Sequence, residues 1–264
     1  MDFSVITSKE NKLVKSVKKL LTSSKERKQT GTFVLEGLRL SADAAINGYT
    51  VDTLIIAESV EESDRLNSLV EKSKTVVKVS DSLFSYMSDT VSPQGVMCIV
   101  KMPQMKSIED IKSGRYIVLE NTADPANLGA IARTAEAFGI SGLIVLKSGC
   151  DPFSPKSQRA GMGALLRLPV IMCDDIADTV KLLKSKGFEL FASVVSNADC
   201  NVTEVDFSRN FAVLIGNEAN GLTDTAISFC DRKITIPMRG RAESLNAAAA
   251  ASVIMWEMTR KEGL

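Results

Sequence analysis

The sequence predicts an α/β protein built from two domains. Its 264 residues, 45% of them apolar, are enough for two ordinary domains or one large one. Short apolar runs alternate with stretches of helical length, which is the pattern of β-α-β units. Residues 101–114 interrupt this alternation with Pro103 and Gly114 and are predicted to form a linker. We therefore expect a small α/β sandwich over residues 1–100 and a mostly parallel α/β domain over residues 115–264.

The first domain is predicted to open with a basic amphipathic helix over residues 7–21. Leucines and valines recur on one face of this segment, and Thr7 with Glu10 is suited to form a capping box at its start. Beyond it, strands are expected at residues 33–35, 54–56, 76–79 and 95–100, with helices ending near residue 48 and at 61–73 and 83–87. This alternation favours a mostly parallel sheet in the first domain.

Charge is distributed unevenly along the chain. Lys plus Arg and Asp plus Glu each number 32, so no net charge favours a polyanionic partner. Residues 1–30, in contrast, contain eight basic and three acidic side chains. On the residues alone, this basic segment is compatible with a solvated helix face or with contact to phosphates. The basic residues are Lys9, Lys12, Lys15, Lys18, Lys19, Lys25, Arg27 and Lys28.

The second domain is predicted to contain a doubly wound sheet. Its strands are expected at residues 116–119, 143–146, 189–194, 211–215 and 233–236, and its helices include 128–138 and a terminal helix from 246 to about 261. The apolar runs at the strands are continuous, as in strands that are buried on both faces.

Several classes of protein are disfavoured by composition. No G-x-G-x-x-G or G-x-x-x-x-G-K-[ST] pattern occurs, which argues against dinucleotide binding and P-loop chemistry. Five scattered cysteines and the absence of histidine give no zinc site, and we expect no metal. The start of the sequence does not resemble a signal peptide, and no stretch is long enough to span a bilayer. These features favour a soluble protein of the reducing cytoplasm.

Three separated segments break apolar runs with Gly, Asn or Pro at predicted strand ends. They are residues 127–133, 214–222 and 236–247. Because ligands of open α/β sheets bind outside the carboxyl ends of the strands, we expect the three segments to form one site. Local alternatives remain at this stage. Asn127 is also suited to cap a helix, Arg133 to lie on the surface, and Ile236 and Leu245 to lie in the core.

Together these segments resemble the three motifs of the SpoU (TrmH) family of RNA ribose 2′-O-methyltransferases. The matching patterns are Asn127-x-Gly129-x-x-x-Arg133, Gly216-x-Glu218-x-x-Gly221, and Ile236-Pro237-Met238 with Ser244-Leu245-Asn246. The resemblance covers residues 115–264. The first hundred residues look like the substrate-binding domain of many members, which is similar to ribosomal protein L30e. The resemblance implies a homodimer whose second domain ends in a trefoil knot.

The resemblance also implies a cofactor and a substrate. S-adenosylmethionine would lie in the knot, held mainly by backbone groups, and RNA would be the methyl acceptor, with ribosomal RNA favoured over tRNA. The implied cofactor residues are Gly216, Ile236 and Leu245, with Leu214, Ile215, Pro237, Met238 and Ala247 beside them. The implied RNA-binding residues are Lys12, Lys15, Lys18, Lys19, Arg39, Arg239 and Arg241.

Five residues are implied in catalysis. The family assigns Arg133 a catalytic role. Its guanidinium is almost never deprotonated, so its chemistry favours a bidentate grip on the adjacent RNA phosphate and leaves the role as base open. Asn127, Ser244 and Asn246 are suited to bind the ribose or to orient Arg133. Glu218 is suited to accept a proton or to organise its loop, and the second role is favoured. A non-catalytic ribosome-assembly factor and a small-molecule enzyme are the alternative functions.

Overall fold

The computed structural model describes residues 4–261, which group into two compact units. The first unit runs to Gln104 and also contains Asp151–Leu166. The second contains Met105–Cys150 and the chain from Arg167 onward. Residues 151–166 thus group with the first unit, although they lie within the range that the sequence assigned to the second domain. Most of the predicted linker, from Met105 to Gly114, groups with the second unit.

The first unit contains a four-stranded mixed sheet with the strand order β1-β4-β2-β3. β2 and β3 are parallel, but β4 is antiparallel to both of its neighbours, β1 and β2. The prediction of a mostly parallel sheet is wrong here. A continuous apolar run indicates burial on both faces, and a central antiparallel strand meets that condition as well as a parallel one does. The elements are α1 (Lys12–Thr22), α2 (Ser24–Thr30), β1 (Thr32–Glu36), α3 (Leu38–Ile46), β2 (Val51–Ala57), α4 (Asp64–Glu71), β3 (Ser73–Val79), α5 (Asp81–Met87) and β4 (Val96–Lys101).

The second unit contains a seven-stranded parallel sheet with the order β7-β6-β5-β10-β8-β11-β9. β7 and β9 were not predicted, because both are short and only partly buried. The remaining elements are β5 (Arg115–Leu119), α6 (Pro125–Ala137), β6 (Gly142–Leu146), α7 (Pro155–Gly161), α8 (Ala164–Arg167), β7 (Val170–Cys173), α9 (Ile176–Ser185), β8 (Glu189–Ser193), β9 (Cys200–Asn201), β10 (Phe211–Ile215), α10 (Asp224–Phe229), β11 (Arg232–Thr235) and α11 (Ala247–Thr259).

The first helix is amphipathic as predicted, but it begins later. The Asn11 side chain caps it by accepting a hydrogen bond from the Leu13 amide at 2.8 Å, so Thr7 and Glu10 form no capping box. Asn is as good an N-cap as Ser or Thr, and Asn11 lies directly before the apolar repeat. Val14, Val17, Leu20 and Leu21 form the buried face.

An ion pair fastens residues 151–166 to the body of the first unit. Both Arg27 Nε and Nη2 donate to Asp151 Oδ2, at 2.9 and 2.7 Å, and Arg27 Nη1 donates to the Leu20 carbonyl at 2.5 Å. Phe153 stacks obliquely on Phe33 with the ring centroids 4.9 Å apart. Arg27 is only 4% exposed, so this residue of the basic segment is unavailable to an external phosphate.

Helices α6 and α11 of the second unit lie side by side and position residues of the candidate site. Three pairs of residues join α6 to α11. Asn127 is hydrogen-bonded to Asn246, Thr134 to Ser252, and the Phe138 ring packs on Trp256. The residue numbers increase along both helices in the same order. The helices therefore run in the same direction. No helix within residues 4–261 has the length and apolarity to cross a membrane.

Candidate active site

A chain of hydrogen bonds joins one residue from each of the three segments. Asn127 Nδ2 donates to Glu218 Oε1 at 2.7 Å, and Asn127 Oδ1 accepts from Asn246 Nδ2 at 3.1 Å. Glu218 Oε2 also accepts from the Ala123 amide at 3.2 Å. Because a carboxylate only accepts, it fixes the orientation of the Asn127 amide and, through it, that of Asn246. The three segments form one site in the second unit.

Asn127 does not cap α6, which corrects one alternative from the sequence. Asp124 is the N-cap, and its side chain accepts from the Ala126 amide at 3.0 Å. Asn127 lies one turn into the helix and is 8% exposed. Asn246 is itself the N-cap of α11, where its Oδ1 accepts from the amides of Ala248 and Ala249. The asparagine pair therefore connects the first turns of the two helices.

The environment of Glu218 favours the charged carboxylate. Partial burial is the largest single influence and raises the pKa of Glu218. Hydrogen bonds lower that pKa, and together they outweigh the effect of burial; their donors are Asn127 and the amides of Ala123, Asp124 and Glu218 itself. The net result is a pKa below the ordinary value. A carboxylate of low basicity is a poor proton acceptor, so this geometry fits organisation of the loop better than general-base catalysis.

The loop after β10 is a tight turn closed by Gly216, Asn217 and Gly221. The amides of Asn217 and Gly221 each donate to the other's carbonyl, at 3.0 and 2.8 Å. A Cβ atom on Gly216 would lie 2.1 Å from the Gly221 carbonyl carbon and 2.2 Å from the Leu222 nitrogen. Glycine at position 216 is therefore required by the chain's own packing, whereas the family resemblance implied it as a cofactor residue.

Two residues that the sequence left without a role anchor these loops. Asn217 Nδ2 donates to the Asn121 carbonyl at 2.8 Å, while its Oδ1 accepts from the amides that follow it. Glu120, 2% exposed, accepts from the Thr223 amide at 2.9 Å and from the Thr223 hydroxyl at 2.7 Å. A charged residue at the end of an apolar run was the available signal for Glu120, since a buried carboxylate requires such partners.

A cleft opens beside this chain, at the carboxyl ends of β8 and β11. Its volume is about 420 Å³ with the space at its mouth included. Ile236, Met238, Ser244 and Leu245 were predicted and line it, and Leu245 is 41% exposed rather than in the core. The lining residues that the sequence missed are Ser193, Val194, Val195, Thr235 and Ala250.

The other predicted cofactor residues do not line the cleft. Leu214 and Ile215 are buried in the central strand β10, and Ala247 is 8% exposed in the first turn of α11. Pro237 is exposed, and Gly216 packs on its own turn. Because Asn246 directly follows Leu245, the cleft and the hydrogen-bond chain share one segment and are adjacent.

The three arginines that the sequence singled out in the second unit lie on its surface. Arg133 is exposed on α6, and within residues 4–261 no hydrogen bond or ion pair holds its guanidinium. It does not contact the Glu218–Asn127–Asn246 chain. Arg239 and Arg241 are exposed in the irregular segment between β11 and α11, which also supplies the cleft. Among the described residues, no group of His, Cys, Asp and Glu is arranged to hold a metal ion.

Most of the basic residues predicted to bind RNA in the first unit are exposed. Lys12, Lys15 and Lys19 are exposed on α1, as is Arg39 on α3. Lys15 pairs with Glu10. Lys18, also predicted, lies with Lys9 beside Tyr86, and their ammonium groups are 4.7 and 4.5 Å from the centroid of the partly exposed ring. Tyr86 was not predicted. An exposed aromatic ring among lysines is a surface on which a nucleobase can stack.

Comparison with known proteins gives matches over both units. Residues 114–256 match the model of the SpoU rRNA Methylase family, and residues 11–98 match an MRM3-like substrate binding domain. The chain is 32% identical to a tRNA/rRNA methyltransferase of Synechocystis, covering 99% of this chain and 95% of the relative. It is 30% identical to the Bacillus subtilis 23S rRNA (guanosine(2553)-2′-O)-methyltransferase RlmP, covering 96% and 98%.

Solved structures agree with these matches. A crystal structure of an AdoMet-bound rRNA methyltransferase from Sinorhizobium meliloti superposes with a TM-score of 0.88 and 29% identity, covering 99% of both chains. The α/β architecture is shared over nearly the whole length. With a family model that covers more than half of its residues and a relative that matches from end to end, this chain belongs to the SpoU rRNA methylase family.

Proposed function

We propose that this protein transfers a methyl group from S-adenosylmethionine to a ribose 2′-hydroxyl of structured RNA. The observation that carries the proposal is the convergence of the three motif segments on one hydrogen-bond chain, Glu218–Asn127–Asn246, beside the cleft at the ends of β8 and β11. Curated relatives of this length are named as rRNA and tRNA/rRNA methyltransferases, and a matching structure is described as bound to AdoMet.

The cleft fits S-adenosylmethionine by its lining. Ile236, Met238 and Leu245 offer apolar surface for an adenine ring, and Ser193, Thr235 and Ser244 offer hydroxyl groups for the polar parts of the molecule. We assign the cofactor to this cleft. Leu214, Ile215, Gly216, Pro237 and Ala247 then act by shaping the surrounding backbone. When bound, S-adenosylmethionine supplies a methyl group that its sulfonium charge already activates toward a hydroxyl oxygen.

The protein's contribution to the reaction is mainly positioning. Arg133 is exposed and has no ion-pair partner among the described residues, so its guanidinium is available to hold the RNA phosphate next to the target ribose. Asn127 and Asn246 hold the segment that carries Ser244, a residue that lines the cleft. Glu218 stays charged and organises the loop.

Several finer features belong to the proposal. We place a trefoil knot at the end of the second unit, because the chain after β11 returns to pack α11 on α6 beside the loop that follows β10. We further propose that the first unit is an L30e-like module that binds RNA through α1 and Arg39, and that the protein works as a homodimer in the cytoplasm. Arg239 and Arg241 are assigned to the RNA-facing rim.

Ribosomal RNA is the proposed substrate, with tRNA as the alternative, since one relative is named for both. A non-catalytic assembly factor is less consistent with the intact Glu218–Asn127–Asn246 chain. The test combines two measurements. Titration calorimetry should detect S-adenosylmethionine binding, and tritium from the labelled cofactor should enter deproteinised 23S rRNA faster than tRNA. Failure to bind the cofactor would refute the proposal. Methyl transfer to tRNA alone would show that tRNA, and not ribosomal RNA, is the substrate.

A further inference from the structure

A second cleft lies entirely within the first unit, where the proposed methyl-transfer site does not reach. Its volume is about 390 Å³, which falls within the range of ligand sites. Arg39 and Leu40 of α3 form one side, Gln94 lies before β4, and Gln158, Arg159 and Met162 form the other side. None of these residues takes part in the Glu218–Asn127–Asn246 chain.

Two polar atoms at this cleft are buried without a partner. Within residues 4–261, three buried side-chain atoms lack a hydrogen bond, and two of them are Gln158 Oε1 and Arg159 Nη1. Gln158 is 1% exposed, and its Nε2 donates to the Pro152 carbonyl at 2.9 Å. That bond fixes the amide orientation, because a flipped amide would set two oxygens against each other. Gln158 therefore offers a free acceptor.

Arg159 offers the complementary donor. Its Nη2 donates to Asp89 Oδ2 at 2.7 Å, which holds the guanidinium in place and leaves Nη1 unpaired. Buried polar groups are almost always satisfied in folded proteins, so a donor and an acceptor left free on adjacent residues require an explanation. A ligand edge with a donor beside an acceptor would satisfy both. Nucleobase edges have this arrangement.

Met162 adds an apolar surface under unusual backbone constraint. It has a φ of 50°, a left-handed conformation that a non-glycine residue seldom adopts, and its side chain is 45% exposed. This conformation ends α7, where Met162 is the C-cap and its amide donates to the Arg159 carbonyl at 3.2 Å. With Leu40, Met162 provides a polarizable apolar wall against which the face of a base can pack.

The charges of the cleft favour a base over a phosphate. The guanidinium groups of Arg39 and Arg159 are outnumbered by three carboxylates, those of Glu36 and Asp43 in the same wall and that of Asp89, which pairs with Arg159. An anion would meet no net positive field here, whereas a neutral base can use the free donor and acceptor.

We infer that this cleft binds one unpaired base of the substrate RNA. The inference rests on the proposed function for its ligand class and adds a base-binding subsite to the substrate-binding unit. The base lies against Met162 and Leu40, and its polar edge meets Gln158 Oε1 and Arg159 Nη1. Arg39, exposed at the edge of the cleft, then contacts the flanking backbone.

The test uses the full chain and defined single-stranded probes. Hexanucleotides of each of the four bases, and an abasic hexanucleotide of equal charge, are titrated by fluorescence anisotropy. Met162→Gly removes the apolar wall while relieving the positive φ, so it should fold at least as well as the wild type. It should bind the best hexanucleotide about tenfold more weakly, the order of loss expected for one stacked base, and the abasic probe with unchanged affinity. Ile46→Ala, which shortens another exposed aliphatic side chain of the first unit, is the matched control.

Ultraviolet cross-linking provides a second, direct readout. The wild type should yield a nucleotide adduct on the tryptic peptide 160–167, which contains Met162. Unchanged affinity of Met162→Gly together with adducts only on other peptides would overturn the inference. Methyl transfer to rRNA, measured in parallel, separates the two proposals. An active wild type with an unchanged KM in Met162→Gly refutes the base subsite alone, whereas an inactive wild type refutes the transfer reaction and leaves binding and cross-linking to decide the subsite.

Discussion

Asn127→Asp tests the positioning chain with a substitution that hardly changes side-chain volume. The aspartate still accepts from Asn246, but it replaces the donor to Glu218 with a second carboxylate. The wild-type bond is 2.7 Å long and involves a charged acceptor, so its loss alone is worth about 1.5–3 kcal/mol. If the two carboxylates relax to about 4 Å, their repulsion near the surface adds up to about 4 kcal/mol. Loss of even about 1.4 kcal/mol of this total in the transition state lowers kcat/KM tenfold.

We therefore expect Asn127→Asp to lower kcat/KM for methyl transfer by at least tenfold. The second variant, Asn127→Asp with Glu218→Gln, exchanges donor and acceptor, restores one hydrogen bond and should recover most of the loss. Thr134→Ala is the control, because Thr134 lies two turns further along α6 and contacts Ser252 rather than the chain. Activity of the single variant within twofold of the wild type would refute the positioning role. So would a double variant that folds but is no better than the single one.

Three further predictions concern stability, cofactor binding and pH. Asp151→Asn leaves the buried Arg27 without its counter-charge and should lower the free energy of unfolding in urea by about 3 kcal/mol. This value is the lower end of the range for buried ion pairs, because the Asp151 side chain is 16% exposed. A loss below about 1 kcal/mol would show that the ion pair does not fasten residues 151–166. Ala250→Trp should fill the cleft and abolish S-adenosylmethionine binding in calorimetry, whereas Ala249→Trp, on the exposed side of the same helix, should bind normally; equal affinities would place the cofactor elsewhere. The pKa of Glu218 in the folded protein lies below its ordinary value of 4.5. The charged carboxylate therefore stabilises the folded loop above pH 4.5, and this stabilisation is lost as the pH falls through the lowered pKa. Below about pH 4.5 the Tm of the wild type should fall more steeply than that of Glu218→Gln, and parallel curves would contradict the assignment.

The sequence predicted five of the seven strands of the second unit, since continuous apolar runs indicate burial on both faces. The same signal carries no strand direction, which is why β4 was expected to be parallel and is antiparallel to β1 and β2. Arg27 shows a related limit. Its charge suggested a surface residue, but its partner Asp151 lies 124 positions away, and no local pattern connects the two.

The candidate site divides in the same way. The three motifs predicted that Asn127, Glu218 and Asn246 lie in one site. In the structure Asn127 is hydrogen-bonded to both of the other residues. Spacing could not tell which residue caps α6, because Asp124 and Asn127 are both good N-caps. It also could not assign Gly216 to the packing of its own turn, since that role depends on the position of Gly221 in space.

The central claim is that the site formed by the three segments transfers the methyl group to a ribose 2′-hydroxyl and not to a base. The direct measurement is nucleoside mass spectrometry of deproteinised 23S rRNA after incubation with S-adenosylmethionine that carries a trideuterated methyl group. We predict one 2′-O-trideuteromethyl nucleoside with the wild type, formed at least a hundredfold more slowly by Arg133→Ala, a loss of about 2.7 kcal/mol in transition-state stabilisation. Label on a base, or undiminished ribose labelling by Arg133→Ala, would contradict the account.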